Sequence, residues 1–469
     1  MNFDPTDDRV QPFVEQMRSQ GLPTTAIKTF CHHLGELFRG GTGALGRDMI
    51  EPVGDLPDTE TVGAEVVDAG VAALDRVVVI KLNGGLGTGM GLDRAKSLLE
   101  VRDGLCFLDV IARQITSLRH ATGSRVPVLF MNSFRTAEDS ERHLERYPDL
   151  AVDDLPLGFL QNRVPKVLAD DGRPAQASSE PELEWCPPGH GDLYTALDTS
   201  GMLDRLLDRG FEFAFASNAD NLGGNLNPTI LGHMVANDLP FMMEVADRSA
   251  ADRKGGHLCR LNDGRLALRE SAQCPPDEKS QFQDIALYRY FNTNNVWIHL
   301  PSIRRLMDDH DGIVPLATIV NHKTLDPRDP SSPAVIQLET AMGSALSLFD
   351  HSAAIRVPRR RFSPVKNTND LLGVRSDAFT LTQDSRVVLH TSRTEPPVVT
   401  LDGSYFKFID TFEARFPCGP PSLLDCHSLE VEGDVTFGRD VIMRGDVHIV
   451  ADDPATISDG TVIEGNLNL

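Results

Sequence analysis

Hydrophobic residues follow two different spacings along this chain, and each spacing predicts a different kind of element. Near the beginning, apolar residues recur at intervals of three and four positions, as in one stripe of an amphipathic helix: Ile27, Phe30, Leu34 and Leu37. We therefore expect residues 1–75 to form a peripheral helical segment. The unbroken run Val77 to Ile80 has the composition of a parallel strand buried on both faces.

The segments after this strand alternate between the same two patterns. A helical periodicity over Phe107 to Leu118 precedes a second buried strand over Val126 to Met131. Strand, helix and strand in this order form a βαβ unit, which predicts a parallel sheet with flanking helices. Further strands are predicted at Phe211 to Ala216, at Met242 to Ala246 and within Tyr288 to Leu300. The run Ile336 to Phe349 is interpreted as a helix that covers the sheet.

The first strand leads directly into a loop with five glycines: Gly84, Gly85, Gly87, Gly89 and Gly91. Such a loop lets backbone N–H groups approach a phosphate or a flat base closely. Open α/β sheets bind ligands at the carboxyl ends of their strands, which is where this loop lies. Lys96 follows and supplies a positive charge. The pattern favours a phosphate-binding loop over a long flexible turn.

Two later loops carry polar groups that suit contact with a ligand. In the first, glycines leave bare backbone on both sides of His190, which favours a ligand-contacting role over plain loop structure. In the second, Asp220 lies just past the strand that ends at Ala216, where Mg²⁺ is often held for phosphate chemistry. The structural alternative is an Asx turn or a helix cap, roles that Asn221 and Asn227 can fill.

Two further segments concentrate polar side chains. Three asparagines lie beside aromatic residues within Phe291 to Trp297, and amides suit hydroxyl recognition because they both donate and accept hydrogen bonds. Cations cluster at Arg356, Arg359, Arg360, Arg361 and Lys366. In an acidic chain this cluster predicts an anion site, with a basic surface stripe as the alternative for the arginines.

The tail of the chain contains a six-residue repeat of aliphatic residues: Leu429, Val435, Val441 and Val447. This spacing predicts a parallel β-helix, in which one inward aliphatic residue per rung stacks on its neighbours. We expect this domain to cover residues 396–469 and to follow a central domain over 76–395. An exposed final rung would favour a cap or end-to-end association, and hence a homo-oligomer formed through the β-helix.

Length and charge restrict the class of protein. A chain of 469 residues is too long for one ordinary core. Its net charge of -23 argues against binding to nucleic acid or to an anionic membrane surface. The seven cysteines have no CxxC spacing, so neither a disulfide framework nor a zinc site is indicated. With no apolar run near the ~20 residues of a membrane span, we expect a cytoplasmic protein.

Seven motifs, in this order, resemble those of the eukaryotic-type UTP–glucose-1-phosphate uridylyltransferases, also called UDP-glucose pyrophosphorylases. They are KLNGGLGTGMG at 81–91, PPGHGD at 187–192, SNADNLG at 217–223, KGG at 254–256, FNTNN at 291–295, QLETA at 337–341 and RFSPVKNTNDLL at 361–372. The resemblance runs from about Val77 to the C-terminus. It implies an α/β fold: a nucleotidyltransferase domain of the GT-A/Rossmann-like type, with a mixed sheet sandwich, followed by a left-handed parallel β-helix.

The resemblance also implies roles for individual residues. The nucleotide would be bound by Leu82, Asn83, Gly84, Gly85, Lys96, Gln161, Gly189, Asn218 and Lys366. Gln161 would contact the uracil edge, and Gly189 would close the pocket. The sugar phosphate would be bound by Gly84, Gly85, His190, Asn218, Asp220 and one of Asn294 or Asn295. Lys96, Asp220 and Lys366 would be catalytic, with Asp220 also holding Mg²⁺.

The reaction implied by this resemblance is uridylyl transfer from UTP to glucose 1-phosphate, which gives UDP-glucose and pyrophosphate in a reversible, Mg²⁺-dependent step. One alternative is a UDP-sugar pyrophosphorylase with broader or different sugar 1-phosphate specificity. Another is a catalytically silent nucleotide-sugar sensor, which would not need the two lysines and the aspartate. A P-loop kinase is excluded because the glycine loop lacks the Gly-Lys-Ser/Thr ending.

One departure from the family pattern lies within the glycine loop. The family usually has Gly-Pro immediately before the loop lysine, whereas this chain has Arg94 and Ala95. Loss of the proline loosens the approach to Lys96, while Arg94 adds a cation. We expect Arg94 to contact the phosphates of UTP.

Overall fold

The computed structural model describes residues 8–41, 43–177, 179–249 and 252–469, so residues 1–7 of the predicted N-terminal segment lie outside it. The α-helices are α1 (Gln11–Ser19), α2 (Thr24–Phe38), α3 (Ala64–Ala72), α4 (Phe107–Thr122), α5 (Ala137–Leu144), α6 (Asp192–Thr199), α7 (Met202–Asp208), α8 (Pro228–Ala236), α9 (Lys279–Phe282), α10 (Leu300–Asp309), α11 (Thr368–Arg375), α12 (Gly403–Phe406) and α13 (Ile409–Arg415). Within the described residues, no helix is both long enough and apolar enough to cross a membrane.

The strands in the first half of the chain are β1 (Ile50–Glu51), β2 (Val77–Asn83), β3 (Glu100–Arg102), β4 (Leu105–Cys106), β5 (Val128–Asn132), β6 (Gly158–Leu160), β7 (Val164–Pro165), β8 (Val167–Leu168), β9 (Trp185–Cys186), β10 (Phe213–Asn218), β11 (Phe241–Asp247), β12 (His257–Leu261) and β13 (Leu266–Arg269). Those in the second half are β14 (Tyr290–His299), β15 (Thr318–Thr324), β16 (Ala334–Thr340), β17 (Ala353–Arg356), β18 (Phe379–Leu381), β19 (Val387–Leu389), β20 (Val398–Leu401), β21 (Ser422–Glu432), β22 (Val435–Phe437), β23 (Ile442–Val450), β24 (Ala455–Ile457) and β25 (Val462–Asn468).

A ten-stranded sheet forms the centre of the molecule, in the order β1-β12-β14-β10-β2-β5-β6, with β11 and β17 attached through β14 and β13 through β12. Strands β10, β2, β5 and β6 are parallel, as the βαβ pattern predicts. Strand β14 runs antiparallel to β10, β11 and β12. The sheet is therefore mixed, as the family resemblance implies, and the expectation of a parallel sheet holds for only one half of it.

Apolar side chains on both faces of the sheet build two cores. Along β2, Val78 and Ile80 pack with apolar residues of α6, α7 and α10, and are fully buried. Val77 and Val79 belong to the core on the opposite face, with residues of α4 and α8. An unbroken apolar run is thus explained by helices that cover both faces, since each face of the strand must be buried.

The predicted helix over Ile336 to Phe349 is wrong. Residues Ala334–Thr340 form β16, which pairs with β15 over all seven positions, and a 3-10 helix over Met342–Leu348 follows. The buried residues Val335 and Leu338 are spaced as they would be in a helix. The spacing is ambiguous over so short a run, and pairing with the preceding strand β15 and with the distant strand β8 decides the outcome.

The N-terminal segment contributes to the main fold. Strand β1 pairs with β12 at the edge of the central sheet. Helix α3 packs on α8 through two glycines, because a Cβ atom on Gly70 would lie 1.7 Å from the carbonyl oxygen of Pro228, and one on Gly232 would lie 1.7 Å from that of Val66. This close approach fixes α8, which follows the loop that contains Asp220.

The C-terminal strands are parallel and lie in two sheets, one of β20, β21, β23 and β25 and one of β22 and β24. The four aliphatic residues of the six-residue repeat are all buried: Leu429, Val435, Val441 and Val447. Their core also contains Met90 and Leu92 of the glycine loop. The C-terminal strands therefore support the loop that the sequence singles out.

Candidate functional site

The candidate site is built at the carboxyl ends of the neighbouring strands β2 and β10. Leu82 is in register with Asn218, and the N–H of Ala219 donates a hydrogen bond to the carbonyl oxygen of Leu82 at 3.0 Å. The glycine loop continues from β2, and Asp220 follows β10 directly. The pairing of two strands distant in sequence therefore joins two of the sequence motifs at one edge of the sheet.

The glycine loop folds back over its own strand. Gly87 and Gly91 have φ angles of 65° and 75°, which glycine adopts without steric cost. The N–H of Lys96 donates to the carbonyl oxygen of Gly85 at 3.1 Å. A Cβ atom on Gly84 would lie 2.6 Å from Oε1 of Gln161. Gly84 therefore admits the Gln161 carboxamide directly against the loop.

Lys96 and Asp220 meet across the end of the sheet. Nζ of Lys96 lies 2.6 Å from Oδ2 of Asp220, with both side chains partly exposed. The N–H of Val365 donates to the carbonyl oxygen of Asp220 at 3.1 Å. This contact brings the segment that carries Lys366 alongside Asp220. Lys366 is exposed, and its Nζ lies 5.5 Å from the centroid of the Phe362 ring.

The arginines of the same segment already have carboxylate partners. Arg356 pairs with Asp58 and Asp247, Arg359 with Asp252, Arg360 with Glu60 and Arg361 with Glu244. No carboxylate of the described chain forms an ion pair with Lys366. The arginines thus have structural partners, and Lys366 is the member of the cluster whose charge is available to a ligand.

His190 is held in one tautomer by the backbone. The N–H of Met342 donates to Nδ1 of His190 at 3.1 Å. Burial lowers the pKa of His190 to about 4. The imidazole is therefore neutral near neutral pH, with its proton on Nε2, where it can donate to an oxygen of a ligand. Gly189 has a φ angle of 80°, and a Cβ atom there would lie 2.4 Å from the carbonyl oxygen of Thr340, so the loop must approach β16 closely.

The predicted asparagines differ in what their side chains contact. Asn83 is buried and donates from Nδ2 to Oδ1 of Asn132 and to Oγ of Ser140. Asn295 is fully buried and donates from Nδ2 to Glu244. Asn294 is half-buried, with a φ angle of 55°. Asn83 therefore offers its backbone to the site, and Asn294 is the more accessible of the two later asparagines.

Sequence reasoning missed a buried ion pair beneath the site. Glu244 accepts hydrogen bonds from Nε and Nη2 of Arg361, both at 2.7 Å, and from Nε1 of Trp297 at 2.9 Å. Glu244 is fully buried and Arg361 is 6% exposed. A glutamate inside the apolar strand Phe241 to Ala246 is the signal that could have revealed it, because a buried charge requires a partner.

Two more buried groups that sequence reasoning missed support the site loops. Lys81 donates from Nζ to Oγ of Ser217 at 2.7 Å and to the carbonyl oxygen of Gly224, and burial lowers the Lys81 pKa to about 7. Asp192 accepts hydrogen bonds from Asn162, and burial raises its pKa to about 7. Lys81 thus ties the loop after β10 to β2, and Asp192 ties the His190 loop to the segment after β6.

Asp220 is the carboxylate that pairs with Lys96 at this edge of the sheet, which makes it the candidate ligand for a metal ion. None of the groups of three or more potential ligand residues found among the described residues includes Asp220. Mg²⁺ is usually bound through one or two carboxylates, several waters and the phosphates of a substrate. An aspartate beside a phosphate-binding loop fits that mode of binding.

A mixed sheet with a glycine loop and a lysine–aspartate pair at its carboxyl edge makes this chain a nucleotidyltransferase-like α/β protein. The model of a family described as UTP–glucose-1-phosphate uridylyltransferase matches residues 42–444. A relative of that name from Hordeum vulgare is 41% identical over 87% of this chain and 84% of its own length. A probable one from Schizosaccharomyces pombe is 40% identical over 94% of this chain and 87% of its own length.

Solved structures agree with the sequence matches. A mutant of UDP-glucose pyrophosphorylase from Leishmania major in complex with UDP-glucose matches with a TM-score of 0.92 and 41% identity, over 99% of this chain and 100% of that one. Open and closed structures from the same organism match with a TM-score of 0.92 and 41% identity, with the same coverage. The chain belongs to the UTP–glucose-1-phosphate uridylyltransferase family.

Proposed function

We propose that this protein transfers a uridylyl group from UTP to glucose 1-phosphate, forming UDP-glucose and pyrophosphate. The observation that carries the proposal is the meeting of Lys96, Asp220 and the Lys366 segment at the glycine loop, in a chain about 41% identical to relatives named for this reaction. The complex of a related enzyme with UDP-glucose supports the choice of nucleotide sugar.

The reaction brings together two polyanions, so charge neutralisation is the main task of the site. A phosphate oxygen of glucose 1-phosphate attacks the α-phosphorus of UTP in line, and the bond from that phosphorus to the bridging oxygen breaks, so pyrophosphate leaves with the bonding electrons. Lys96 and Lys366 would stabilise the negative charge on the phosphoryl oxygens. The neutral His190 would donate from Nε2 to the sugar phosphate and orient it.

The experiment that tests the proposal is pyrophosphate release from UTP with a panel of sugar 1-phosphates. We expect release with glucose 1-phosphate at a kcat/KM well above that with galactose 1-phosphate or N-acetylglucosamine 1-phosphate. Comparable release with several sugars would instead support a broader UDP-sugar pyrophosphorylase. Tight binding of UDP-glucose without release for any sugar would indicate a nucleotide-sugar sensor.

We also propose that Asp220 holds Mg²⁺ together with the nucleotide phosphates. Such an ion supplies further neutralisation of phosphoryl charge. Chelation of divalent ions with EDTA is expected to abolish pyrophosphate release, and added Mg²⁺ is expected to restore it. Asp220→Asn should need a higher Mg²⁺ concentration for half-maximal rate than the unmodified protein. Full activity in EDTA after dialysis would contradict a metal requirement.

Arg94 provides a separate test within the glycine loop. Its side chain is exposed, whereas Ala95 is buried with a φ angle of -53°, a value close to that which proline imposes. We expect Arg94→Ala to raise the KM for UTP about 1.4- to fivefold, because an exposed ion pair contributes about 0.2–1 kcal/mol. The KM for glucose 1-phosphate should stay constant. Arg439→Ala is the control, as Arg439 is also exposed but lies in the turn between β22 and β23. An unchanged KM for UTP in Arg94→Ala would count against this role.

The tautomer of His190 leads to a prediction about pH. The pKa of His190 is about 4, so its neutral form should persist through the range from about pH 5 to 8 in which histidines usually titrate. Because the unfolded chain binds a proton on this residue below about pH 6.5 and the folded chain does not, this group lowers stability as the pH falls from about 6.5 to 4. The histidine NMR resonance that disappears in His190→Asn should not titrate above about pH 5. A midpoint near 6.5 would contradict the buried, neutral imidazole.

The remaining proposals concern assembly and location. We propose that a C-terminal domain begins near residue 395, and that its parallel strands β20 to β25 form a left-handed β-helix. The predicted division near residue 75 does not separate a domain, because β1 and α3 pack into the central fold. Within the described chain, β25 has a neighbour on one side only, and Val462 at its start is 50% exposed, which supports self-association through this edge. All seven cysteines are free, which suits a reducing cytoplasm.

A further inference from the structure

One buried carboxylate connects the two sides of the candidate site. Oδ2 of Asp192 accepts a hydrogen bond from the backbone N–H of Asn162 at 2.6 Å, and Oδ1 accepts one from Nδ2 of the same residue at 3.0 Å. Asp192 is 5% exposed and Asn162 is 9% exposed. The two residues lie in separate segments, so the contact is a tertiary link and not a local turn.

This link joins the segments of two predicted ligand contacts. Asn162 directly follows Gln161, whose own N–H donates to the carbonyl oxygen of Asn132 at the end of β5 at 2.8 Å. Asp192 is the first residue of α6 and follows His190 by two positions. The backbone around Gln161 is thus held on one side by β5 and on the other by Asp192.

The bonding pattern favours the ionised form of Asp192, against the burial that raises its pKa to about 7. Asn162 presents two N–H donors in the same direction, and a carboxylate accepts both, whereas an amide would offer one acceptor and one opposing donor. Neither lysine nor arginine of the described chain compensates the charge, so its partners are the two N–H groups of Asn162 and the positive N-terminal end of α6. Burying a carboxylate without a counter-ion costs free energy, and an apolar side chain at this position would pack the two segments together without that cost.

We propose that Asp192 is a positioning residue for base selection: by holding Asn162, it fixes the backbone of Gln161 and keeps the Gln161 carboxamide packed against Gly84, in the orientation that accepts uracil and rejects cytosine. The two bases differ at this edge, since uracil presents an N3–H donor and a carbonyl oxygen, while cytosine presents a ring nitrogen acceptor and an amino donor. A carboxamide free to rotate can match either pattern, and a fixed one matches only one of them. The inference rests on the proposed function and on the contact of Gln161 with the uracil edge that the family resemblance implies.

The test compares UTP with CTP as substrates for pyrophosphate release with glucose 1-phosphate. In Asp192→Asn we expect the ratio of kcat/KM for UTP to kcat/KM for CTP to fall at least about tenfold, because a displacement of about 1 Å at a substrate contact can cost about 10²-fold in rate. The fall should come from a lower value for UTP with a retained or raised value for CTP. A purely structural role would lower both values alike and leave the ratio unchanged.

Two further variants separate an effect on base selection from a general effect on folding. Asn162→Ala keeps the backbone N–H and removes the Nδ2 donor, so it should lower the ratio less than Asp192→Asn does. Asp198→Asn is the matched control, because Asp198 lies in the same helix but pairs with Arg304; its ratio should match that of the unmodified protein.

Unchanged ratios in both folded Asp192→Asn and Asn162→Ala would overturn the inference, and Asn162→Ala alone decides if Asp192→Asn does not fold. An unmodified protein that releases no pyrophosphate from any nucleotide would instead contradict the proposed function, so the two failures are distinguishable.

Discussion

Lys366→Ala is expected to lower the turnover of UDP-glucose formation by about 10²- to 10³-fold, the loss that follows removal of one group that stabilises transition-state charge. No ion pair joins the Lys366 ammonium group to a carboxylate of the described chain, and its segment lies against Asp220 through the Val365 hydrogen bond. Its charge is therefore free to act on the phosphoryl oxygens, where positive charge is needed most as pyrophosphate leaves. Pyrophosphate release at saturating substrates measures the effect.

The same substitution should leave the fold intact. The Lys366 side chain is exposed, and its contact with the Phe362 ring is distant, while the hydrogen bond to Asp370 comes from its backbone N–H. The thermal midpoint should therefore shift by no more than that of Lys279→Ala, a control at an exposed lysine in α9. Near-normal turnover in Lys366→Ala would remove this residue from the mechanism, whereas a large thermal shift would mean that the lost activity reflects folding.

Lys96 is a less direct probe of the same chemistry. It forms an ion pair with Asp220 at 2.6 Å, so its removal also leaves the aspartate without that partner. The loss would change how the Asp220 carboxylate binds a metal ion. A lower rate in a Lys96 variant would combine two effects. The Lys366 variant separates charge neutralisation from the state of Asp220, because no ion pair joins Lys366 to that aspartate.

Local patterns predicted those parts of the fold that depend on local structure. The run from Val77 to Ile80 is apolar because helices cover both faces of β2, and this requirement is visible in the composition of the strand itself. The glycines of the following loop mark the left-handed positions Gly87 and Gly91, which few other residues adopt. The first buried strand and the location of the glycine loop after it therefore followed from the sequence.

Contacts between distant segments were not accessible in the same way. The segment over Ile336 becomes a strand because β15 pairs with it, and its own spacing does not distinguish that outcome from a helix. The close approach of Gly189 to Thr340 explains its glycine only once β16 is in position. Likewise, the carboxylate of Asp192 has an evident partner only when α6 packs beside Asn162. The structural reason for each of these residues is a contact with another segment of the chain, which its own neighbours in sequence do not reveal.

Glu244 is a position at which a single substitution should strongly reduce stability. In Glu244→Gln the shape is kept, but Arg361 loses its counter-ion inside the protein, and breaking a buried pair in this way costs about 3–5 kcal/mol. We expect the free energy of unfolding, measured by urea denaturation, to fall by that amount. The loss should also disturb the segment that runs from Arg361 to Lys366, because Arg361 anchors it to the central sheet.

The neighbouring surface pair provides the control for this prediction. Asp247 lies on the same strand, β11, and pairs with Arg356 where both side chains are more than a third exposed, so Asp247→Asn should cost less than about 1 kcal/mol. The double variant Glu244→Met with Arg361→Met should regain most of the lost stability, since two apolar side chains need no counter-ion. If Glu244→Gln were no more destabilising than Asp247→Asn, the buried pair would not be what secures the Lys366 segment. If the double variant were stable but released pyrophosphate slowly, the ion pair would be needed to position Lys366 as well as to stabilise the fold.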